Sequence, residues 1–301
     1  MKLILQRSLT IARPELERVM QAVLFYSDQV LMRATAVTRP GDETVYQRIN
    51  ELADMGLIST WAYEYELSSR GHPLRQGDGR LISGAAPTQV VTREASRELV
   101  GLVDGDLSRD RHQPYDGVTL REGVSEVVQL RHSITTLRMA DHLGAAGLVG
   151  GSPTQSALID QVRRATTPVA AAEEVVTEVI GRCSFGALSD LPTAAIEDCR
   201  REMPRFRDYL EERLTDQSAD HVRNPHQVAE LILSEYRKIN NRESRRKPAE
   251  DSWDVVGMVL PSAVVVKAMG TSIEWFRYRG ARRRPFILLG KLQHHVQEAR
   301  P

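Results

Sequence analysis

The sequence predicts a mainly α protein, with a helical, bundle-like body behind a small N-terminal α/β module. Three observations lead to that class. Long stretches near 119–143, 193–214 and 225–239 repeat apolar residues at steps of three and four, the spacing of one helix face. Runs of strand character fall within about the first 83 residues. The long helical stretches are joined by short connections, which suits helices packed side by side. With 301 residues the chain is long enough for two domains. Aromatic residues make up only 5%, so Leu, Val, Ile and Ala must fill most of the core.

Leu3–Ile11 reads as a strand. Pro14 then suits the first turn of a helix running to about Tyr26, with Leu16, Val19, Met20, Val23 and Leu24 on one face. Val30–Ala36 reads as a second strand. Thr44–Met55 carries the stripe Val45, Ile49, Leu52 and Met55, and Gly56 is placed to end it in a left-handed conformation. Leu57–Leu67 alternates like a half-buried strand, Ser68–Gly79 reads as a loop, and Arg80–Ser83 as a returning strand. Beyond Thr92 the character is helical: Thr92–Leu102, then a polar linker at Asp104–Gly117, then Thr119–Leu143 with Val124, Val127, Val128, Ile134 and Leu137 inward. Gly144–Pro153 breaks the pattern, and helices follow at Thr154–Ala165 and Ala170–Ile180.

Pro192 opens the cleanest amphipathic helix, with Ile196, Cys199, Met203, Phe206, Leu210 and Leu214 inward and Pro204 set to kink or split it. Asn224-Pro225 starts a helix through Ile239. Asn240–Asp251 reads as a charged linker, and Ile287–Glu298 as a final helix behind a core-like Phe286-Ile-Leu-Leu289. The expected division is an α/β module at 1–103, a helical body at 117–240 and a basic segment at 252–300.

Charge is unevenly placed although the chain is neutral overall. Residues 237–301 hold fourteen Lys/Arg against six Asp/Glu, while residues 101–236 hold fourteen against twenty-two. Arginine outnumbers lysine thirty-five to five, so a lone arginine carries little information and only a cluster stands out. That cluster is Trp275, Arg277, Tyr278, Arg279, Arg282, Arg283 and Arg284. Guanidinium forks bind carboxylates and phosphates in pairs of hydrogen bonds, and aromatic faces stack on bases. The expected partner is an acidic protein surface, on this chain or on a second copy. The alternative is a nucleic acid gripped by the same arginines. Membrane-surface contact through Val255–Val266 ranks below both.

Two helices, a Gly-Leu-Ile turn and an alternating strand over residues 10–83 resemble a winged helix-turn-helix module, chiefly through Arg48-Ile-Asn-Glu-Leu-Ala-Asp-Met-Gly-Leu-Ile58. The resemblance implies that the helix before Gly56 lies in the major groove and that a following hairpin touches the DNA backbone. Between Asp42 and Asp54, however, four acids stand against the single base Arg48, the wrong sign for a polyanion. The alternative is an α/β module whose Leu/Ile/Met stripe is core.

Other chemistries fail on spacing. Asp104-Gly-Asp106 begins like a calcium loop but has Arg109 and Tyr115 where glycine and glutamate belong. Cys183 and Cys199 are the only cysteines and cannot make a four-ligand zinc site. Gly181-Arg-Cys-Ser184-Phe-Gly186 misses the nucleophile-turn spacing, which leaves Cys183 or Ser184 with an unspecified distant histidine; an enzyme would instead be marked by a pocket where side chains such as His112, His132 or Cys183 converge. Neither phosphate-loop signature occurs. No cofactor and no metal are expected. The opening apolar run is shorter than the roughly seven residues of a secretory signal, and no run approaches the roughly eighteen of a membrane span, so the cytoplasm is the expected compartment. The expectation is a non-enzymatic binding or assembly protein, with nucleic-acid binding as alternative and an unrecognised enzyme third.

Overall fold

The computed structural model describes residues 1–5, 10–74, 79–82, 84–110, 120–148, 167–183, 185, 187–214, 224–244 and 284–298. It is mostly helical, with a five-stranded parallel sheet in the N-terminal half. The chain forms two compact units. One comprises Met1–Val23 with Ser27–Ala170, the other Leu24–Tyr26 with Ala171–Pro301.

In the first unit β1 (Lys2–Leu5) leads through the short β2 (Thr10–Ile11) to α1 (Arg13–Gln21), which ends in a π-helical turn at Ala22–Tyr26. Then come β3 (Gln29–Arg33), β4 (Val37–Thr38), α2 (Glu43–Asp54), β5 (Ile58–Tyr63), β6 (Arg80–Leu81), β7 (Gln89–Val91), α3 (Arg93–Asp110), α4 (Leu120–His142) and β8 (Ala146–Leu148). The large sheet has the order β7-β5-β3-β1-β8 with every pair parallel, Leu3 opposite Val30 and Val30 opposite Ile58. A parallel sheet is buried on both faces, so its strands read as apolar runs such as Val30-Leu-Met32. On one face Ile4, Leu31, Trp61 and Val91 pack with Leu99 of α3 and Met139 and Ala140 of α4. The pleat turns Leu3 and Val30 to the opposite face, and α1 and α2 bury Leu16, Val19 and Met20, and Val45, Ile49 and Leu52. Asp42 caps α2 by accepting the Val45 N–H at 3.2 Å, and Gly56, at φ +72°, reverses the chain into β5.

Several expectations change. Leu3–Ile11 is two strands in different sheets, β1 in the large one and β2 in a small β2-β4-β6 sheet. Residues 57–67 and 80–83 do not form a hairpin: β5 pairs in parallel with β3 and β7, and β6 lies antiparallel to β4. The hairpin that a winged helix needs is therefore not made by these residues. The linker expected at Asp104–Gly117 begins as helix, because α3 continues to Asp110 and pairs Asp104 and Asp106 with Arg131 and Arg138 of α4. The α/β unit runs well past residue 103, since α4 packs on the sheet and β8 pairs with β1.

Among the described residues of the second unit, α5 (Thr167–Cys183), α6 (Thr193–Arg200), α7 (Met203–Leu214), α8 (Pro225–Ser244) and α9 (Ile287–Glu298) are α-helices. Pro204 falls in the first turn of α7, where the expected split occurs, and all six inward residues from Ile196 to Leu214 are buried. Asn240–Ser244, expected as linker, continues α8. Phe206 meets Phe25 edge-on at 5.5 Å and Tyr209 meets Phe286 at 5.3 Å. No helix among the described residues is long and apolar enough to cross a membrane. The helix expected at Thr154–Ala165 lies outside the described residues.

Candidate small-molecule site

A cavity of about 70 Å³ opens at the carboxyl ends of β1, β3 and β5 in the α/β unit. In open parallel sheets this is the edge where loops diverge and ligands are held. Its walls are largely apolar, with Ile4, Ile11, Val19 and Met139 among them. Glu15 and Arg18 reach it from α1, and Thr135 and Thr136 from α4. The threonine hydroxyls donate to their own helix, to the Arg131 carbonyl at 2.7 Å and the His132 carbonyl at 2.9 Å. Glu15 accepts the Ala12 N–H at 3.1 Å, which fixes its carboxylate at the start of α1.

Arg33, the last residue of β3, dominates the site. Its side chain is only 10% exposed and lies over the Tyr63 and Trp61 rings, with centroids 5.1 and 5.8 Å away. The guanidinium pairs with the buried Glu66: Nε donates at 3.1 Å to one carboxylate oxygen and Nη2 to the other. Glu66 also accepts the Tyr63 N–H at 3.2 Å, so the pair is tied to the end of β5. Nη1 is buried and has no hydrogen-bond partner among the described residues. A guanidinium nitrogen offers donors and no acceptor, so this lining residue holds a buried, unanswered donor.

Sequence reasoning singled out none of these residues as functional. One signal was available: a charged residue ends an otherwise apolar strand run, Val-Leu-Met-Arg33. The residues that were singled out are placed as follows. Trp275, Arg277, Tyr278, Arg279, Arg282 and Arg283 lie outside the described residues, and Arg284 opens a 3₁₀ turn, Arg284–Phe286, with its side chain outside them. Ser184 and His112 lie outside them too. His132 is exposed on α4. Cys183 ends α5, and burial pushes its thiol up to about 11, the reverse of what a nucleophile needs.

The helical unit holds two polar clusters. Buried Lys291 on α9 donates to Asp198 at 2.8 Å and to Glu202 at 3.4 Å. Burial works to raise the Asp198 pKa, but Lys291, and after it His295, hold it below the ordinary carboxylate value. On the surface Glu178, His226 and Glu230 bring ligand-type atoms within 4.8 Å of one another. Arg182 already supplies a cation there, 2.8 Å from Glu178 and paired with Glu230. Compared with protein-family models, curated proteins and solved structures, the chain matches none.

Proposed function

We propose that the α/β unit is a small-molecule binding module whose ligand sits in the cavity at the carboxyl edge of the sheet. The observation that carries this reading is the convergence there of apolar walls from β1, α1 and α4 with a few fixed polar groups, the make-up of a ligand site. Trp61 lines the cavity and is 8% exposed, so it reports on occupancy. In a chain carrying Trp253→Phe and Trp275→Phe, it is the sole tryptophan. A fragment library should contain compounds that shift its emission, and Ala36→Met, which fills the cavity from a wall residue, should abolish the shift. A library with no active compound would count against the module.

A second reading rests on charge alone. The segment Trp275–Arg284 concentrates arginine as an acidic protein surface, or a nucleic acid, would require. Arg282→Glu with Arg283→Glu should change oligomeric state or thermal stability in the first case. In the second, oligonucleotide binding that weakens steeply with salt should disappear. A variant unchanged in all three respects would remove this reading.

A further inference from the structure

The chemistry of the ligand follows from one atom, on the premise that the cavity is a ligand site. We infer that it takes the carboxylate end of a small organic acid. Arg33 is a residue of the cavity lining; Glu66 occupies its Nε/Nη2 edge, and the buried Nη1 has no acceptor among the described residues. A buried donor left unmet carries a desolvation penalty, which an incoming anionic oxygen would recover as a charge-assisted hydrogen bond.

The rest of the lining selects among anions. Among the described residues Arg33 Nη1 is the buried lining nitrogen without a partner, and the fixed Glu15 carboxylate repels a second negative charge. The hydroxyl protons of Thr135 and Thr136 are committed to helix carbonyls, so these residues present lone pairs rather than donors. Among the described residues no lysine lines the cavity. A phosphate dianion would bring its second charge against Glu15 and find a largely apolar wall, whereas a carboxylate needs one strong donor and an apolar bed for its carbon atoms. Size agrees: about 70 Å³ is roughly half of a cavity that holds benzene. That leaves room for the carboxylate and a few carbons.

The test compares propionate, butyrate, propionamide and inorganic phosphate on the full chain, by titration calorimetry and by Trp61 emission in the single-tryptophan chain. Propionate and butyrate should bind at least about tenfold more tightly than propionamide or phosphate, the factor expected from a charged hydrogen bond. The double variant Arg33→Gln/Glu66→Gln removes both charges together, so neither is left buried alone. It should lose propionate binding while its melting curve stays cooperative. Propionamide or phosphate binding as tightly as propionate overturns the carboxylate inference, and so does undiminished propionate binding by the double variant. In either case the ligand site itself survives, provided Ala36→Met abolishes that binding. Silence from all four compounds, with a library that is also silent, defeats both. If the double variant fails to fold, the propionate-to-propionamide ratio in the unaltered chain decides alone.

Discussion

Replacing Glu66 by glutamine tests whether the Arg33 guanidinium is held as a buried charge. Glu66 is 2% exposed, and its carboxylate answers two nitrogens of Arg33 as well as the Tyr63 N–H. Glutamine keeps the shape and one acceptor oxygen but removes the countercharge. Removing one member of a buried pair costs about 3–5 kcal/mol, because the surviving ion has neither water nor partner. Retention of an acceptor puts Glu66→Gln near the lower end, about 3 kcal/mol. For a unit of this size each kcal/mol moves the midpoint by about 2–4 °C, so the transition should fall by about 6–12 °C. Scanning calorimetry measures this, and a urea titration checks that the slope is unchanged, so that the loss lies in the folded state.

Two companion measurements sharpen the inference. Arg33→Gln/Glu66→Gln should recover most of the lost stability, because a buried pair is worth little over its neutral replacement. Propionate should stabilise Glu66→Gln more than the unaltered chain, because the variant offers its anion a guanidinium with no rival carboxylate. At one hundred times the dissociation constant a ligand adds about 2.7 kcal/mol, nearly the whole deficit. A Glu66→Gln midpoint within about 1 °C of the parent would refute the reasoning, since the guanidinium would then be reaching water.

Further expectations concern both units. Lys291→Met should destabilise by about 3 kcal/mol, because Glu202 and Asp198 lose a buried countercharge, and thermal melts would read it. The Asp198 pKa is depressed, so its contribution is complete above the ordinary value of 3.8 and disappears as pH falls through the lower folded value. Asp198→Asn should accordingly flatten the acid limb of a circular-dichroism titration below about pH 4. Cys183 and Cys199, raised to about 11 and about 12 chiefly by burial, should label slowly with a maleimide at pH 7 and rapidly in urea. Stoichiometric native labelling within minutes would contradict that. Gly147→Val should cost about 1–3 kcal/mol in a urea titration, because even a Cβ there would stand 3.0 Å from Leu137 and 3.2 Å from Ala140 of α4.

The helical unit was legible because its pattern is local. Ile196, Cys199, Met203, Phe206, Leu210 and Leu214 repeat at helical spacing, and Pro192 and Pro204 mark where helices begin. The sheet was only half legible. Residues of β3 and β5 announce themselves by their apolar and aromatic runs, but partner and direction are not written in a strand. β7 and β8 are three residues each, and β8 is Ala-Gly-Leu, without a β-branched residue. Its place beside β1 depends on α4 pressing against Gly147 and on pairing across more than 140 residues of chain. Likewise Asp104-Gly-Asp106 looks like linker because aspartate and glycine are poor helix formers. The ion pairs of Asp104 and Asp106 with Arg131 and Arg138 join it to α4, a contact no local pattern reveals.

The same reason hid the site. In a chain with thirty-five arginines, crowding is the mark that stands out, and crowding selects Arg277–Arg284. Arg33 is singular for the opposite property. It stands alone at the end of a strand, and its character comes from Glu66, thirty-three residues on, from Tyr63 and Trp61 beneath it, and from α4 a hundred residues away. Exposed arginines share their charge with salt and water, and each contributes little alone. A guanidinium removed from water and answered on one edge only keeps nearly all of its demand for an anion. Within the α/β unit, binding chemistry is therefore to be sought where arginine is enclosed: at the mouth of the sheet, at the buried Arg33 Nη1 that no acceptor among the described residues answers.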